Sequence, residues 1–390
     1  MIDYVELMRQ FAVPRPNGSA AMRATAAFLR NWLSARQIPY QTHTFRLYPY
    51  FNEVLGCWLP ATATLLLLAT ALRWPAWTLL LVGASMLAGI LNVARGWPLL
   101  TWPGACRGEN ILVMLGPDQT DQTIILATHY DSKTELLDHV RQGFLLRHLG
   151  FCIKAALLVL LVGLIDRLWL PADAVGTALI WGGSLLLLLP AFYIIWGIGL
   201  NLLPGRFIRQ SQGAVDNGAA CVILLGLAAR LAHRPAALQR TRVILAFFTG
   251  EEVSMQGSRA YVRDTDWTQP TIAINLELLG QDGPYVTWQR EGNALTSVPT
   301  TARLTTAVAA LVADVTGTPV QRGGGINSDG YSFLAAGIPT CVLGSCDRQM
   351  GSGGLHRPTD NLERVVLARL PESVTLLERI VQQYDAGKLL

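Results

Sequence analysis

Charge is what this chain has least of. Only 15% of its 390 residues are Asp, Glu, Lys or Arg, against about 25% in ordinary soluble domains, and the mean hydropathy is +0.33. That shortage argues against a wholly soluble chain and for a soluble part carrying membrane segments. The net charge is a modest +4, and no Lys/Arg cluster or basic stripe interleaved with aromatics is present, so a nucleic-acid partner is not expected. The start, Met1-Ile2-Asp3-Tyr4-Val5-Glu6, has neither a basic region nor an apolar one of the kind a cleavable signal peptide needs. None of the 6 cysteines pairs at zinc-ribbon spacing. Small buried thiols are the expectation, with Cys341–Cys346 the one disulfide considered. Internal repeats and low-complexity stretches are also missing.

Long apolar runs, in contrast, are plentiful. Leu55 to Leu72 carries no charge, Arg73-Trp74-Pro75 makes a turn, and Ala76 to Ala94 is apolar again. Each run is about 18–20 residues, the length that crosses a bilayer. Trp58, Trp74, Trp77 and Trp97 stand near the ends, where interfacial aromatics belong. Leu149 to Leu170 and Ala174 to Leu203 repeat the arrangement around Pro171-Ala172-Asp173. Lys154 and Asp166 sit near opposite ends of the first of these, and the longer second run is expected to tilt or bend at Pro190. The reading is four transmembrane helices in two hairpins, residues 55–98 and 148–203, inserted into one catalytic domain made of 1–54, 99–147 and 204–390.

The soluble remainder alternates between strand and helix patterns. Residues 1–38 look helical, most clearly from Ala20 to Leu33, and precede a strand at Tyr40–Leu47, with further strands at Glu109–Leu115 and Thr123–Thr128. After the second hairpin come a helix from Ala219 to about Ala232, a strand at Val243–Phe248 and another at Thr271–Leu276. A helix over Thr300–Thr316, a strand at Thr340–Leu343 and a helix over Pro371–Tyr384 complete the chain. That alternation predicts an α/β three-layer sandwich around a mostly parallel, mixed central sheet.

Polar residues gather at the ends of those strands. The run Val243–Phe248 stops at Thr249-Gly250-Glu251-Glu252, and adjacent carboxylates repel unless a cation or a shared proton lies between them. Two solvated loop acids are one reading, a metal ligand beside a general base the other. His129 and Asp131 follow a strand, Asp216 opens a helix, Glu277 ends a strand, and His356 lies in a Gly-rich loop. Open α/β sheets build their sites beyond the carboxyl ends of strands. His43, His139, His148 and His233 are read as structural or surface residues.

Together these segments resemble the co-catalytic di-zinc aminopeptidases of peptidase clan MH, which include bacterial leucyl aminopeptidases and glutamate carboxypeptidase II and share their fold with glutaminyl cyclases. The resemblance rests on Thr128-His129-Tyr130-Asp131-Ser132, Gly213-Ala214-Val215-Asp216-Asn217-Gly218-Ala219 and Phe248-Thr249-Gly250-Glu251-Glu252. Asn275-Leu276-Glu277-Leu278-Leu279-Gly280 and Leu355-His356-Arg357-Pro358-Thr359-Asp360-Asn361 complete it. It implies a zinc exopeptidase-like fold, two zinc ions per chain and a peptide substrate cut at its N-terminus by a water held between the ions. Asp216 would bridge the ions, Glu252 and His356 would complete one site, and His129 and Glu277 the other. Asp131 would hold His129 through its second nitrogen, and Glu251 would be the general base. Asp329, in the loop Asn327-Ser328-Asp329-Gly330, would border the pocket. Two positions depart from the family: Glu277 stands where Asp is usual, and Gly330 where His commonly follows the loop Asp.

Pairing strand 40–47 with 109–115, and 109–115 with 123–128, as two antiparallel hairpins brings the insertion points of both apolar hairpins to one sheet edge. The active-site face is therefore expected to look toward the bilayer. Arg46, Arg95, Arg107, Arg141, Arg147, Arg206 and Arg209 flank the spans on the domain side, with only Arg73 and Arg167 opposite, and the positive-inside rule puts the domain in the cytoplasm. A glutaminyl-cyclase-like enzyme with a single zinc is the nearest rival. A catalytically silent receptor or scaffold on the same fold would have lost ligands, and every ligand position here holds a competent residue.

Overall fold

The computed structural model describes residues 2–389 apart from 97, 98, 100, 118, 169–173, 204, 235–237, 294 and 352. The expected turn at Pro171-Ala172-Asp173, the end of the run at Leu170 and the interfacial Trp97 lie outside the described residues. In chain order, α1 (Tyr4–Phe11) and α2 (Ala20–Ala35) lead to β1 (Tyr40–Leu47), then to α3 (Phe51–Ala71) and α4 (Ala76–Arg95). Next come β2 (Cys106–Leu115), β3 (Gln122–His129), a short α5 (His139–Arg147), α6 (Leu149–Leu168) and α7 (Ala174–Leu202). The chain continues with α8 (Ala219–Ala232), β4 (Thr241–Phe248), α9 (Gln256–Asp264), β5 (Thr271–Glu277), β6 (Tyr285–Trp288), β7 (Arg290–Gly292) and β8 (Ser297–Pro299). It ends with α10 (Ala302–Thr316), β9 (Gln321–Gly323), α11 (Gly330–Ala335), β10 (Thr340–Ser345) and α12 (Arg369–Asp385).

Eight strands form the central sheet in the order β1-β2-β4-β3-β5-β10-β6-β9. Strands β4, β3, β5 and β10 run parallel, β2 is antiparallel to both its neighbours, and β6 is antiparallel to β10 but parallel to β9. Side-chain alternation splits each strand between two cores. Ile124, Leu126, Leu245 and Ile274 face α1, α2, α8, α10 and α12, whereas Ile125, Ala127, Ile244 and Ala273 face Tyr261 of α9 and Phe333 of α11. This is the three-layer sandwich. The apolar stretch Ala214–Ala232, made of a wide turn and the 14-residue α8, has the length and composition of a membrane span, yet it is almost entirely buried inside the protein; α8 is the central core helix.

One expected pairing is wrong. Strands β1 and β2 do pair antiparallel, but β2 does not pair with β3, because β4 lies between them, antiparallel to β2 and parallel to β3. The apolar run Thr123–Ala127 is buried on both faces, as a parallel strand covered by helices on each side must be. Nearness in sequence suggested a hairpin, and burial decided for parallel neighbours. The inference about edges survives by another route: β1 runs parallel to β4 and β3, so Leu47 and His129 still end at the same edge.

The thiols are free, Cys341 and Cys346 included. Cys57 is exposed and Cys106 and Cys346 are half-buried, so small buried thiols describes only Cys152, Cys221 and Cys341.

Helices α3, α4, α6 and α7 pack into a separate bundle around Leu66, Leu79, Val82, Val159, Leu160 and Leu188. Among the described residues these four and the buried stretch Ala214–Ala232 are long and apolar enough to span a bilayer. Helices α3 and α7 cross where Gly56 meets Gly199: a Cβ on Gly199 would stand 2.4 Å from Pro60 Cγ and 2.7 Å from the Gly56 carbonyl oxygen, so only glycine permits the approach. At the far end the two hairpins are tied together. Arg167 donates to the carbonyls of Ala69 and Trp74, and Arg73 lies 3.6 Å from Asp166.

Candidate metal centre

The buried strands deliver their last residues to one spot. His129 ends β3, Glu277 ends β5, and Glu251 and Glu252 follow β4 through Gly250, whose φ of +78° turns the chain sharply at the sheet edge. Asp216 sits in a wide turn over Ala214–Gly218 that leads into α8. His356 enters from the loop before α12 with a left-handed φ of 58°. All six side chains are buried.

They form two triads that share one residue. His129, Asp216 and Glu277 bring ligand atoms within 4.8 Å of one another, and Asp216, Glu252 and His356 do the same. Asp216 Oδ1 lies 3.2 Å from His129 Nε2, while Oδ2 lies 3.1 Å from His356 Nε2. Glu277 Oε2 is 3.7 Å from His129 Nε2 and Glu252 Oε2 is 3.5 Å from His356 Nε2. Glu251 belongs to neither triad, with Oε2 3.8 Å from His129 Nε2.

The electrostatics follow from that crowding. Burial alone would lower the His129 pKa, but Glu251, Asp131, Asp216 and Glu277 hold it well above its usual value. His356, likewise buried and facing Glu252, Glu135 and Asp216, rises to about 10. Burial, then the neighbouring Glu252 and Glu277, pushes Glu251 well above the ordinary carboxyl range. Asp216 falls well below it, since the two imidazoles outweigh its burial. Four carboxylates of this kind call for added positive charge, and Glu252 Oε1 is buried with no hydrogen-bond partner. Imidazole nitrogen with carboxylate oxygen is a donor set that suits zinc and its first-row neighbours, so the residues fit a pair of divalent ions.

A supporting layer fixes the ligands. Asp131 Oδ1 stands 3.6 Å from His129 Nδ1, and the ring nitrogen is closer, at 3.2 Å, to the Asp131 backbone carbonyl. The other oxygen of Asp131 accepts from Asn17 Nδ2 at 2.7 Å and from the Glu252 backbone N–H at 3.1 Å. Asp131 thus ties both triads together. His356 Nδ1 meets Glu135 Oε2 at 3.1 Å, and Lys133 Nζ lies 3.3 Å from both Glu135 and Glu252. Asp360 accepts from the backbone of Val215 at 2.7 Å and of Asp216 at 3.3 Å. Asn217 and Asn275 donate to the two oxygens of Glu277, each at 2.9 Å.

Sequence reasoning assigned no role to Glu135, Lys133, Asp360 or the three asparagines. Lys133 and Asp360 stand inside or beside the quoted motifs. Glu135 and Asn17 gave no local signal, since their partners lie 221 and 114 residues away. His43 is elsewhere, between Asp264 and Asn110. Asp329 needs correction. It is fully buried at the start of α11, with neither carboxylate oxygen hydrogen-bonded, and burial pushes it up to about 7. The loop does border the cavity, but through Gly325, Ile326 and Asn327. Gly330 also has its reason: a Cβ there would lie 2.6 Å from Glu291 Oε1, and Glu291 is held by Ser328 Oγ at 2.5 Å.

Above the triads opens a cavity of about 730 Å³. His129, Asp216, Glu251, Glu252, Glu277 and His356 line its floor, and α3, α4, α6 and α7 supply much of its wall. The apolar hairpins stand on the same face as Glu251.

This sheet, with two carboxylate–imidazole triads at its carboxyl edge, defines a zinc exopeptidase-like fold. Residues 200–378 match the model of peptidase family M28. Solved structures agree on the fold. Porphyromonas gingivalis glutaminyl cyclase is 14% identical, with a TM-score of 0.55 over 98% of this chain and 96% of that one. A zinc-dependent exopeptidase from Parabacteroides distasonis is 12% identical, with a TM-score of 0.54 over 97% and 96%. The zinc aminopeptidase BSAP of Bacillus subtilis is 13% identical, with a TM-score of 0.55 over 98% and 94%. No curated protein matches the chain in sequence.

Proposed function

We propose that this protein is a membrane-anchored metallo-exopeptidase that removes N-terminal residues from peptides with the help of two zinc ions. The observation that carries the reading is Asp216, whose two oxygens each face a different imidazole, one in each triad. When bound, the zinc ions would polarise the amide carbonyl and make water acidic enough to attack it. His129, Asp216 and Glu277 would hold one ion, and Asp216, Glu252 and His356 the other. Glu251, free of both triads, accepts the proton of the attacking water and returns it to the leaving amine. Asp131 and Glu135 orient the imidazoles through their second nitrogens.

The membrane reading is supported by the outward faces of the bundle. Leu80, Leu81, Leu87, Leu157, Leu161 and Leu186 are all more than half exposed, a larger apolar surface than soluble monomers present to water. The division into catalytic segments 1–54, 99–147 and 204–390 and hairpins 55–98 and 148–203 follows from it. The arginine excess on the catalytic side favours a cytoplasmic domain; a C-terminal reporter active only outside the cytoplasm would refute that placement.

The test is metal analysis of purified protein alongside a panel of aminoacyl substrates. Two zinc ions per chain with release of N-terminal residues support the proposal. A single ion with cyclisation of N-terminal glutamine would transfer the protein to the cyclase reading.

A further inference from the structure

The cavity does not stop at the soluble domain. On α3 its wall is the stripe Phe51, Leu55, Leu59, Thr62 and Leu66, one helical face whose ends are about 22 Å apart at roughly 1.5 Å per residue. On α7 the stripe is Leu202, Ile198, Ile195, Ala191 and Leu188, about 21 Å by the same measure. Both begin beside the metal centre: Asn52, at the head of α3, donates to the carbonyl of Glu252 at 2.8 Å. Each stripe is longer than half the thickness of a hydrocarbon core of about 30 Å. The groove and the metal centre are one continuous space.

On the bundle helices the polar side chains Asn52, Trp58 and Thr62 of the groove wall already have partners. Thr62 lies 3.4 Å from Ser85, Trp58 donates to the same Ser85 at 3.1 Å, and Gln142 donates to Glu135 at 2.8 Å. An extended peptide in this groove would bring an N–H and a C=O per residue with no partner for either. A single aliphatic chain brings none.

We propose that the substrate is an amphiphilic amide whose long aliphatic chain lies in this groove while its amide bond lies at the triads. The inference rests on the hydrolase reading above. In the reaction, water adds across the carbonyl, the C–N bond breaks, the oxygen stays with the acid and the proton leaves on the amine. The chain enters from the bilayer and positions the bond without contributing to the chemistry.

The test uses the full chain in lipid nanodiscs, loaded with zinc, and substrates kept below their micelle-forming concentration. Leucine butyl-, octyl- and dodecylamides place the chain on the amine side, and N-acyl-leucines of the same lengths place it on the acyl side. Leucine p-nitroanilide is the short reference. In one series kcat/KM is expected to rise at least about tenfold from the shortest chain to the longest, since transfer from water is worth up to about fourfold per methylene. Ala63→Phe on α3 and Ala191→Phe on α7 each plug the groove, and either should abolish the rise while leaving p-nitroanilide turnover within about twofold.

Flat chain-length dependence with brisk p-nitroanilide turnover would overturn the inference and leave the hydrolase reading intact. So would a preference for apolar oligopeptides over dodecyl chains. If the zinc-loaded protein turns over nothing, the hydrolase reading fails, and the groove is judged by binding. Quenching of fluorescence by a bromododecyl amide, weakened in Trp58→Phe and in both plugged variants, keeps it as a chain site; quenching that is absent, or that none of these variants weakens, removes it.

Discussion

Glu251→Gln separates proton transfer from metal binding. The substitution keeps the side-chain shape and removes one negative charge from a group that belongs to neither triad, its nearest imidazole contact being 3.8 Å. Three carboxylates, Asp216, Glu252 and Glu277, would still hold metal with His129 and His356. Metal content should therefore hold at the wild-type value. Turnover should not. Loss of a positioned general base typically costs a factor of about 100 to 10,000, or roughly 3–5 kcal/mol of barrier at about 1.4 kcal/mol per tenfold. The assay is kcat on an aminoacyl p-nitroanilide across a pH series, with zinc measured by mass spectrometry on the same samples. Wild type should lose rate as the pH falls and Glu251 takes up a proton, and the variant should lack that limb. A variant that keeps kcat within tenfold of wild type at matched metal content refutes the assignment.

The other expectations are quickly stated. Asp216→Asn should weaken both metal sites at once, whereas Glu277→Gln should remove one ion and leave the other, as metal stoichiometry after dialysis will show. Glu135→Gln removes the carboxylate behind His356 and should weaken metal affinity by about 10–100-fold, read from competition with a chelator; unchanged affinity would make Glu135 a bystander. Glu291 is buried and its carboxyl is held well above its usual value, so its contribution to stability is full below about pH 4.3 and is lost as pH rises through the folded value. Thermal midpoints in detergent should fall less between pH 5 and pH 9 in Glu291→Gln than in wild type, and parallel curves would contradict the shift.

Much of this molecule is legible in its sequence because burial writes a pattern. The alternation in Tyr40–Leu47 marks β1 to the residue, and the uncharged runs mark α3 and α4 because a helix apolar all round has no water-facing side. Of the five triad residues, His129, Glu252 and Glu277 stand at the ends of apolar strands and Asp216 opens a helix, which is why they drew notice, whereas His356 stands in a Gly-rich loop with only its motif to mark it. Strand order could not be read. Nothing in Glu109–Leu115 or Thr123–Thr128 says that a strand more than a hundred residues later will enter between them. The short elements α9, α11 and β6 to β9 carry too few residues for a period to emerge. Asn17 and Glu135 could not be found either, because what makes them important is contact with residues distant in the chain.

The position of β4 also sets an order of assembly. Strands β2 and β3 are synthesised before α6 and α7, and the strand that joins them follows both. A nascent chain that has just completed α7 therefore carries two apolar strands with unpaired edges, which are the features that invite misassociation. It also holds only one of the five triad residues, His129. The first triad closes when Glu277 appears and the second when His356 does, so both triads are completed late in synthesis, after the last long apolar helix outside the core is already in place.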